Sequence, residues 1–218
     1  MNMAGGKMIG LEFICKVYRI EYKDLALSIG VSPPSIQDWL KGRRKIPKAR
    51  IVQLRQIFKS VPEEYFQKEL TKSEELHVQQ IYFTETDEFE EIEIPFIDDD
   101  GVERWHKERY SQNSGIINSL IDKRKNESLI ERIRALIDND EFTENNNHKM
   151  VDKYISILEK NKKEEINFLR MVFYYFKNKH EWGFDPFFAA SEKEIKMYEE
   201  FKELLLNYKI IEPDEPAD

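Results

Sequence analysis

Five basic side chains lie close together in the first quarter of the chain and form its clearest candidate binding site. They are Lys41, Arg43, Arg44, Lys45 and Lys48. Lysine and arginine neutralise phosphates, which supplies affinity for a nucleic acid without reading base sequence and makes binding fall steeply with salt. A run of basic residues is by itself more often a solvated surface, so the flanking elements decide between the two interpretations.

The distribution of charge separates this part of the chain from the rest. The 218 residues carry a net charge of −8, which taken alone argues against nucleic acid. Residues 1–59, however, contain twelve basic and four acidic residues, a net charge of +8, whereas the remainder has 22 basic and 38 acidic residues, a net charge of −16. A basic head on an acidic body indicates a module that binds a polyanion, joined to a part with another role.

Apolar spacing predicts a series of short helices on both sides of the basic residues. Gly30 and Gly42 follow the second and third of them, in the position where glycine ends helices. Ser32 is placed to cap the third helix and Pro33 to occupy its first turn. The predicted helices cover residues 8–18, 23–29, 33–41, 48–59 and 62–70.

The second and third of these helices are joined by residues 30–32, which is the arrangement of a helix-turn-helix. With Ile36, Trp39 and Leu40 facing inward, the third helix directs its other side outward, where it can enter the major groove of DNA. The stretch 23–47 resembles the Cro/repressor (Xre-type) DNA-binding family of phages and bacteria. The matching residues are Ala26, Gly30, Val31, Ser32, Ile36, Trp39, Leu40, Gly42 and Pro47.

The resemblance covers about residues 8–70 and implies a lambda-repressor-like domain of five helices, whose third helix reads bases. The basic residues follow that helix and begin the next one, where a DNA backbone should pass. This position favours phosphate contacts over a solvated surface for all five of them, from Lys41 to Lys48.

In that family the start of the third helix and its sixth position contact base edges, which corresponds here to Pro33, Pro34 and Asp38. Proline offers only apolar contact, for instance to a thymine methyl, and Asp38 can accept from a cytosine amino group. Ser35 and Gln37 are the more versatile hydrogen-bonding residues. We therefore predict base contacts from Pro34, Ser35, Gln37 and Asp38.

Residues 71–112 change character and form an acidic connecting segment. A capping box at residues 71–74 predicts a short helix. Residues 81–84 and 92–97 have the composition of strands and can form a short β-hairpin. Ten acidic and no basic residues lie in the stretch 85–103. We interpret it as a solvated linker or hairpin; the alternative is that it folds back on the basic head and inhibits it.

Residues 113–212 are predicted to form a helical domain, followed by an acidic tail at 213–218. The candidate helices cover residues 116–125, 128–137, 151–159, 164–179 and 192–208. The fourth of them is apolar over a broad face, as the central helix of a bundle would be. We expect this domain to dimerise the protein or to receive a signal from a protein or peptide effector.

Several classes of protein are disfavoured by what the sequence lacks. Cys15 is its single cysteine, which excludes an internal disulfide and a zinc site with several thiolates. The four histidines are scattered, and no glycine-rich phosphate loop or nucleophile elbow is present. No apolar run approaches the roughly 18 residues of a membrane span, and the first residues lack the apolar segment of a signal peptide. We therefore predict a cytoplasmic protein with no metal, cofactor, enzymatic activity or membrane partner.

These patterns together predict a mainly α protein with an N-terminal helix-turn-helix domain, residues 1–70, and a helical C-terminal domain. Its expected function is sequence-specific binding of double-stranded DNA as a transcriptional regulator, with helix 33–41 in the major groove and a homodimer formed through the C-terminal helices. The resemblance indicates a repressor of phage or mobile-element type. The alternative is a helix-turn-helix protein that acts mainly through a protein partner, as an antitoxin or a phage-takeover module does. A third option is a nuclease that uses the mid-chain carboxylates.

Overall fold

The structure, a computed structural model, describes residues 8–140, 146–176 and 190–212. It is mainly helical with one two-stranded antiparallel sheet. The helices are α1 (Gly10–Tyr18), α2 (Tyr22–Ser28), α3 (Pro33–Leu40), α4 (Lys48–Ile57), α5 (Lys72–Glu85), α6 (Ser114–Asp138), α7 (Asn146–Lys160), α8 (Lys163–Phe176) and α9 (Glu192–Asn207), and the strands are β1 (Phe89–Ile97) and β2 (Glu103–Ser111). The chain divides into two compact units, residues 1–134 and 135–218. Among the described residues, no helix combines the length and apolar character that a membrane span requires.

One apolar core lies in the first unit and is built from helices α1 to α5. Helical spacing brings Leu11 and Ile14 to one side of α1, where both are fully buried. The aromatic centre is Phe58, whose ring centroid lies 5.0 Å from that of Tyr18 and 6.1 Å from that of Phe66. The other buried members of this core are Cys15, Leu25, Ala26, Ile29, Ile36, Trp39, Leu40, Ile46, Leu54, Val61, Tyr65, Val78 and Ile81.

The turn between α2 and α3 depends on a glycine with left-handed backbone. Gly30 has a φ of 65°, which costs other residues free energy because of their Cβ atom. Its amide donates to the carbonyl of Leu27 (3.3 Å), and the amide of Val31 donates to the carbonyl of Ala26 (2.9 Å). This pair of bonds is a Schellman motif, which satisfies the last carbonyls of α2 and redirects the chain into α3.

The helix predicted over residues 62–70 is largely absent. Only a short 3₁₀ turn, Glu63–Phe66, forms there. The backbone beyond it pairs with the start of α1 instead, because the amide of Gly10 donates to the carbonyl of Lys68 (2.7 Å) and Ile9 forms a β-bridge with Glu69. A continuing helix would have used those backbone groups internally.

The strand predicted at residues 81–84 is wrong, because these residues belong to α5. The predicted capping box at Thr71 is confirmed, and the helix that it opens continues to Glu85. Val78 and Ile81 lie on one side of this helix and are buried in the same core as α1 to α4. Burial at helical spacing has outweighed the strand propensity of the local residues. The first compact unit therefore extends past the predicted boundary at residue 70.

The predicted helices at 116–125 and 128–137 form the single helix α6. No glycine or proline interrupts residues 116–138, so nothing in the backbone ends the first of them. Asn126 and Glu127, between the two predictions, are helical residues of α6.

The beginning of α5 is held by a carboxylate from α6 as well as by its own capping box. The carboxylate of Glu131 accepts from the amide of Ser73 (2.9 Å) and from its hydroxyl (2.6 Å). Burial alone would raise the pKa of Glu131, but the hydrogen bonds from Ser73 outweigh burial and lower the pKa below its usual value. A negative charge at a helix N-terminus is also favoured by the helix dipole.

We expect the ionised carboxylate of Glu131 to stabilise the first unit. This contribution should be larger above the pKa that Glu131 has in the unfolded chain than at acidic pH. The folded-state pKa is lowered, so this stabilisation is present above the unfolded value and is lost as the pH falls through the folded value. Glu131→Gln should cost about 0.5 kcal/mol at pH 7, since the site is partly exposed to solvent. Urea denaturation at pH 7 and pH 3 should show this difference at pH 7 and a smaller one at pH 3, where more of the carboxyl is protonated. An equal difference at both pH values would contradict the prediction.

Residues between α5 and α6 form the hairpin of β1 and β2. The predicted strand at 92–97 lies within β1, and its partner is β2 rather than residues 81–84. Asp87 holds the base of the hairpin by accepting from the Ser111 hydroxyl (2.6 Å) and the Asn113 amide (2.9 Å). At the tip, the Asp98 carboxylate accepts from the amide of Val102 (2.9 Å). All the strand residues are exposed except two half-buried ones, Ile94 and Ser111.

The second unit contains α7, α8 and α9. Asp140 is 2% exposed and accepts from the amides of Asn147 (2.9 Å) and His148 (2.7 Å), so it caps the start of α7. The predicted capping box from Ser191 to Glu194 is confirmed at the start of α9. The buried residues of these helices are Met171, Tyr198 and Leu205. Residues 177–179 of the predicted fourth C-terminal helix and the tail 213–218 lie outside the described residues.

Candidate nucleic-acid interface

Helix α3 has one buried and one exposed side. Ile36 is fully buried, and Trp39 and Leu40 are almost so. Pro34 and Gln37 lie on the opposite side and are exposed. No hydrogen bond joins the Gln37 side chain to any residue that the structure describes. This amide is therefore free to donate to, and accept from, an external partner.

The first turn of α3 has an unusual hydrogen-bond pattern because it begins with two prolines. Ser32 occupies the predicted N-cap position, but in the described structure no backbone amide donates to its side chain. Pro33 and Pro34 have no amide hydrogen, so two of the usual donors are missing. The Ser32 hydroxyl instead lies 2.9 Å from the hydroxyl of Ser35. Ser35 is half-buried, and this contact occupies part of its hydrogen-bonding capacity.

The last turn of α3 is joined to the basic residues through Asp38. Its carbonyl accepts from the amides of Arg43 (2.8 Å) and Arg44 (3.3 Å). Its carboxylate lies 3.6 Å from Nη1 of Arg43 and 3.8 Å from Nε of Arg44. Gly42, with a φ of 66°, makes the turn that brings the arginines back to α3. Asp38, predicted to contact a base, is therefore placed against two of the predicted phosphate-binding residues.

The ion pairs of Asp38 leave both guanidinium groups accessible. The side chains of Arg43 and Arg44 are 66% and 76% exposed, against 29% for Asp38. Pairs of this kind contribute little stability, so either arginine can exchange its contact with Asp38 for a phosphate. Lys41, Lys45 and Lys48 are also exposed. All five predicted phosphate contacts thus lie on the surface.

The far end of the basic loop, residues 41–48, is fixed to the core. Ile46 is 4% exposed and belongs to the apolar core. Its amide donates to Oε1 of Gln67, a residue that follows the 3₁₀ turn (3.1 Å). The loop is therefore held at Asp38 on one side and at Ile46 on the other, and its charged side chains project from a fixed backbone.

A comparison of the chain with protein-family models, curated proteins and solved structures finds no match. The function of this surface therefore has to be inferred from its own residues.

Two residues that support the site could not be found from the sequence. Gln67 is one, and Arg50 is the other. Nη1 of Arg50 donates to the carbonyl of Ile29 (2.6 Å) and to Oε1 of Gln53 (2.7 Å). Arg50 thus ties α4 to the turn before α3. Sequence reasoning would class it as one more basic residue, because the contact with Ile29 spans 21 positions along the chain.

We expect Arg50→Met to destabilise the first unit by about 1.5 kcal/mol, because the variant keeps most of the aliphatic stem and removes a charged donor from the Ile29 carbonyl. Urea denaturation of the full chain measures this change. Arg55→Met is the matched control, since Arg55 lies on the same helix and makes an exposed ion pair with Glu63 (3.3 Å). Equal losses in the two variants would show that the contact with Ile29 has no special role.

Potential metal ligands and the single cysteine are the remaining groups of the described residues that could do chemistry. No group of three or more histidine, cysteine, aspartate or glutamate residues is placed there to hold a metal ion. Burial raises the pKa of the Cys15 thiol to about 12. This thiol is therefore protonated at neutral pH and is a core residue rather than a nucleophile.

Proposed function

We propose that the chain is a sequence-specific DNA-binding transcriptional regulator, in which residues 8–70 form a lambda-repressor-like helix-turn-helix domain. The observation that carries this proposal is the attachment of the exposed basic loop to α3 through Asp38. Cations on a fixed backbone beside an exposed helix face suit a duplex, because phosphates can be bound at little cost in backbone entropy while the helix enters the major groove. The family resemblance favours a repressor of phage or mobile-element type.

Within this proposal, Gln37 is the principal reader of base sequence. It is exposed and has no partner in the described structure, whereas Ser35 and Asp38 already contact Ser32 and the arginines. Glutamine can bind adenine through two hydrogen bonds in the major groove. Pro34 contributes apolar contact.

We expect Gln37→Ala to relax selection at one base pair of each half-site, with a loss of discrimination of about 10- to 100-fold there. Binding to unrelated duplexes should change little. Gln56→Ala removes an exposed glutamine from α4 and is the matched control. Selection from a random duplex pool measures both variants. Retention of the full wild-type motif by Gln37→Ala would contradict the assignment.

The regulator is proposed to bind as a homodimer through its C-terminal helices. In α7 no described side chain is fully buried, yet the helix carries a series of apolar residues on its surface. These are Met150, Tyr154, Ile155 and Leu158, which are 71%, 38%, 44% and 43% exposed. A second copy could cover them, and two reading helices would then meet two half-sites of DNA.

A specific observation also favours the alternative, a protein that acts through a protein partner. Two prolines open α3, and Ser35 and Asp38 make contacts within the chain. Of the four residues predicted to read bases, only Gln37 therefore has a polar side chain without a contact in the described structure. A surface with so little base-reading capacity suits a module whose partner is a protein or peptide.

Selection from a random pool of duplexes by the full chain at physiological salt separates these functions. An enriched motif with twofold symmetry supports a dimeric regulator, and its half-site spacing gives the separation of the two reading helices. An enriched single site supports a regulator that binds without that symmetry. Salt-sensitive retention without any enriched motif would overturn sequence-specific regulation and favour the protein-partner function. Magnesium-dependent cleavage of the pool would instead indicate a nuclease.

A further inference from the structure

The hairpin of β1 and β2 has two open edges in the first unit. Its strands pair with each other and with no other described strand. A two-stranded hairpin is at best marginally stable in water, and an unpaired strand edge is a template for another strand. Residues 87–111 contain nine further acidic side chains besides Asp87 and three basic ones, so the hairpin is a poor ligand for DNA. A protein strand is the better candidate for its open edge.

The hydrogen bonds at the two ends of the hairpin show which residues of β2 face that edge. The amide of Gln112 donates to the carbonyl of Glu88 (3.0 Å), and the amide of Asp98 donates to the carbonyl of Val102 (3.0 Å). Hydrogen-bonded pairs alternate in an antiparallel ladder. The even-numbered residues of β2 therefore bond to β1, and the odd-numbered residues direct their amides and carbonyls outward.

The two edges differ in whether they can pair with a copy of themselves. The charged residues of β1 are all acidic: Glu90, Glu91 and Glu93. Two such strands would bring like charges together, which is destabilising. β2 instead contains both signs. Its charged residues are Glu103, Arg104, Lys107, Glu108 and Arg109.

A twofold axis perpendicular to the sheet pairs two copies of β2 symmetrically about one residue. With the axis at His106, Arg104 lies opposite Glu108 of the second copy, and Glu103 lies opposite Arg109 of the second copy. Symmetry repeats each pair, so four pairs of opposite charge form. This register also pairs odd-numbered residues with each other, which the open edge requires.

Neighbouring registers are less favourable. An axis at Lys107 places the two copies of this lysine opposite each other, and an axis at Glu108 places two glutamates opposite each other, so like charges meet in both registers. An axis at Trp105 leaves one kind of opposite-charge pair, between Glu103 and Lys107. Complementary charges across an interface fix its register more than they add affinity.

We propose that β2 pairs antiparallel with β2 of a second copy of this chain about a twofold axis at His106, forming a four-stranded sheet. The residues whose charges would pair, Glu103, Arg104, Glu108 and Arg109, are all exposed in the single chain, and the Arg104 side chain is 61% exposed. The present partner of Arg104, Asp98, is on the same hairpin, and this ion pair is exchangeable. The contact is separate from DNA binding and from the proposed dimer of C-terminal helices.

Disulfide trapping tests the register in the full chain. In this arrangement the two copies of residue 106 are a non-hydrogen-bonded pair with Cα atoms about 4.5 Å apart, which suits a disulfide. His106→Cys should cross-link more than half of the chains under mild oxidation. Tyr110→Cys is the control, because its two copies would be eight positions apart, roughly 27 Å. The buried Cys15 does not interfere, since its thiol is protonated.

Either a lack of cross-linking at position 106 or equal cross-linking at 106 and 110 would overturn the proposal. The first outcome would leave the edge for a strand of a different protein, and the second would indicate random collision. Because the cross-link requires no DNA, its failure is distinguishable from failure of the regulator function.

A charge exchange provides a second test with an internal rescue. Arg104→Glu places a glutamate opposite Glu108 twice and should weaken the hairpin contact about tenfold. The double variant Arg104→Glu/Glu108→Arg restores opposite charges and should recover it. The yield of the disulfide at His106→Cys, introduced into each variant, measures the association at this edge separately from any dimer of the C-terminal helices. An unchanged association in the single variant, or no recovery in the double variant, would contradict the register.

Discussion

The double variant Arg43→Ala/Arg44→Ala should bind every duplex about 60-fold more weakly than the wild type at 0.1 M salt. Each phosphate contact contributes about 0.9 to the slope of log affinity against log salt. Two contacts therefore contribute about 1.8, which corresponds to a factor of about 60 between 1 M and 0.1 M salt. The loss should be the same for a preferred and an unrelated sequence, because phosphate contacts carry no base information.

Titration of both duplexes at several salt concentrations measures the affinity and the slope together. Lys123→Ala/Lys125→Ala removes the same charge from α6 and is the matched control. If both pairs of substitutions weaken binding equally, the effect is one of net charge and the basic loop has no special position. If the arginine variant keeps its affinity and slope, the loop does not contact phosphate.

The elements around the basic loop were predictable because their signals are local. The apolar spacing of Ile36, Trp39 and Leu40 specifies which side of α3 is buried, and all three are buried. Gly30 and Gly42 follow the C-cap residues Ile29 and Lys41, and both adopt the positive φ that a C-terminal glycine supplies.

The contacts that hold the site in place were not predictable, because they join distant parts of the chain. Arg50 and Ile29 are 21 positions apart, as are Ile46 and Gln67. Asp38 shows a different limit. The spacing predicts a base contact for Asp38, but the residue is half-buried, and the return of the chain after Gly42 brings two arginines against it. A helical wheel contains no information about the loop that follows the helix.

The acidic segment was only partly predictable for a further reason. The alternation of residues 92–97 identified one strand, whereas β2 is rich in charged residues and is exposed on both faces, so it carries no apolar alternation. The sequence therefore predicts the partner strand at residues 81–84, whose apolar character serves burial in a helix. Where a hairpin has no buried face, the pattern that normally reveals strands is absent.

Gly10→Ala should destabilise the first unit by about 3 kcal/mol, although alanine is the better helix former. A Cβ atom at position 10 would lie 1.8 Å from the carbonyl oxygen of Tyr65 and 3.0 Å from Cδ2 of Leu70. The first contact is with backbone, so it cannot be relieved by a change of rotamer. The amide of Gly10 also donates to the carbonyl of Lys68, which fixes the two segments together. Urea denaturation followed by circular dichroism measures the loss.

Gly115→Ala is the control that separates helix propensity from close packing. Gly115 lies in the first turn of α6, and a Cβ atom there has no neighbour among the described atoms within 4 Å. The substitution should therefore stabilise the chain by about 0.5 kcal/mol. The same substitution, glycine to alanine, should thus lower the free energy of unfolding at the start of α1 and raise it at the start of α6. If Gly10→Ala were also neutral or stabilising, the approach of α1 to the 3₁₀ turn would be looser than described, and so would the anchor at Gln67 that fixes the basic loop.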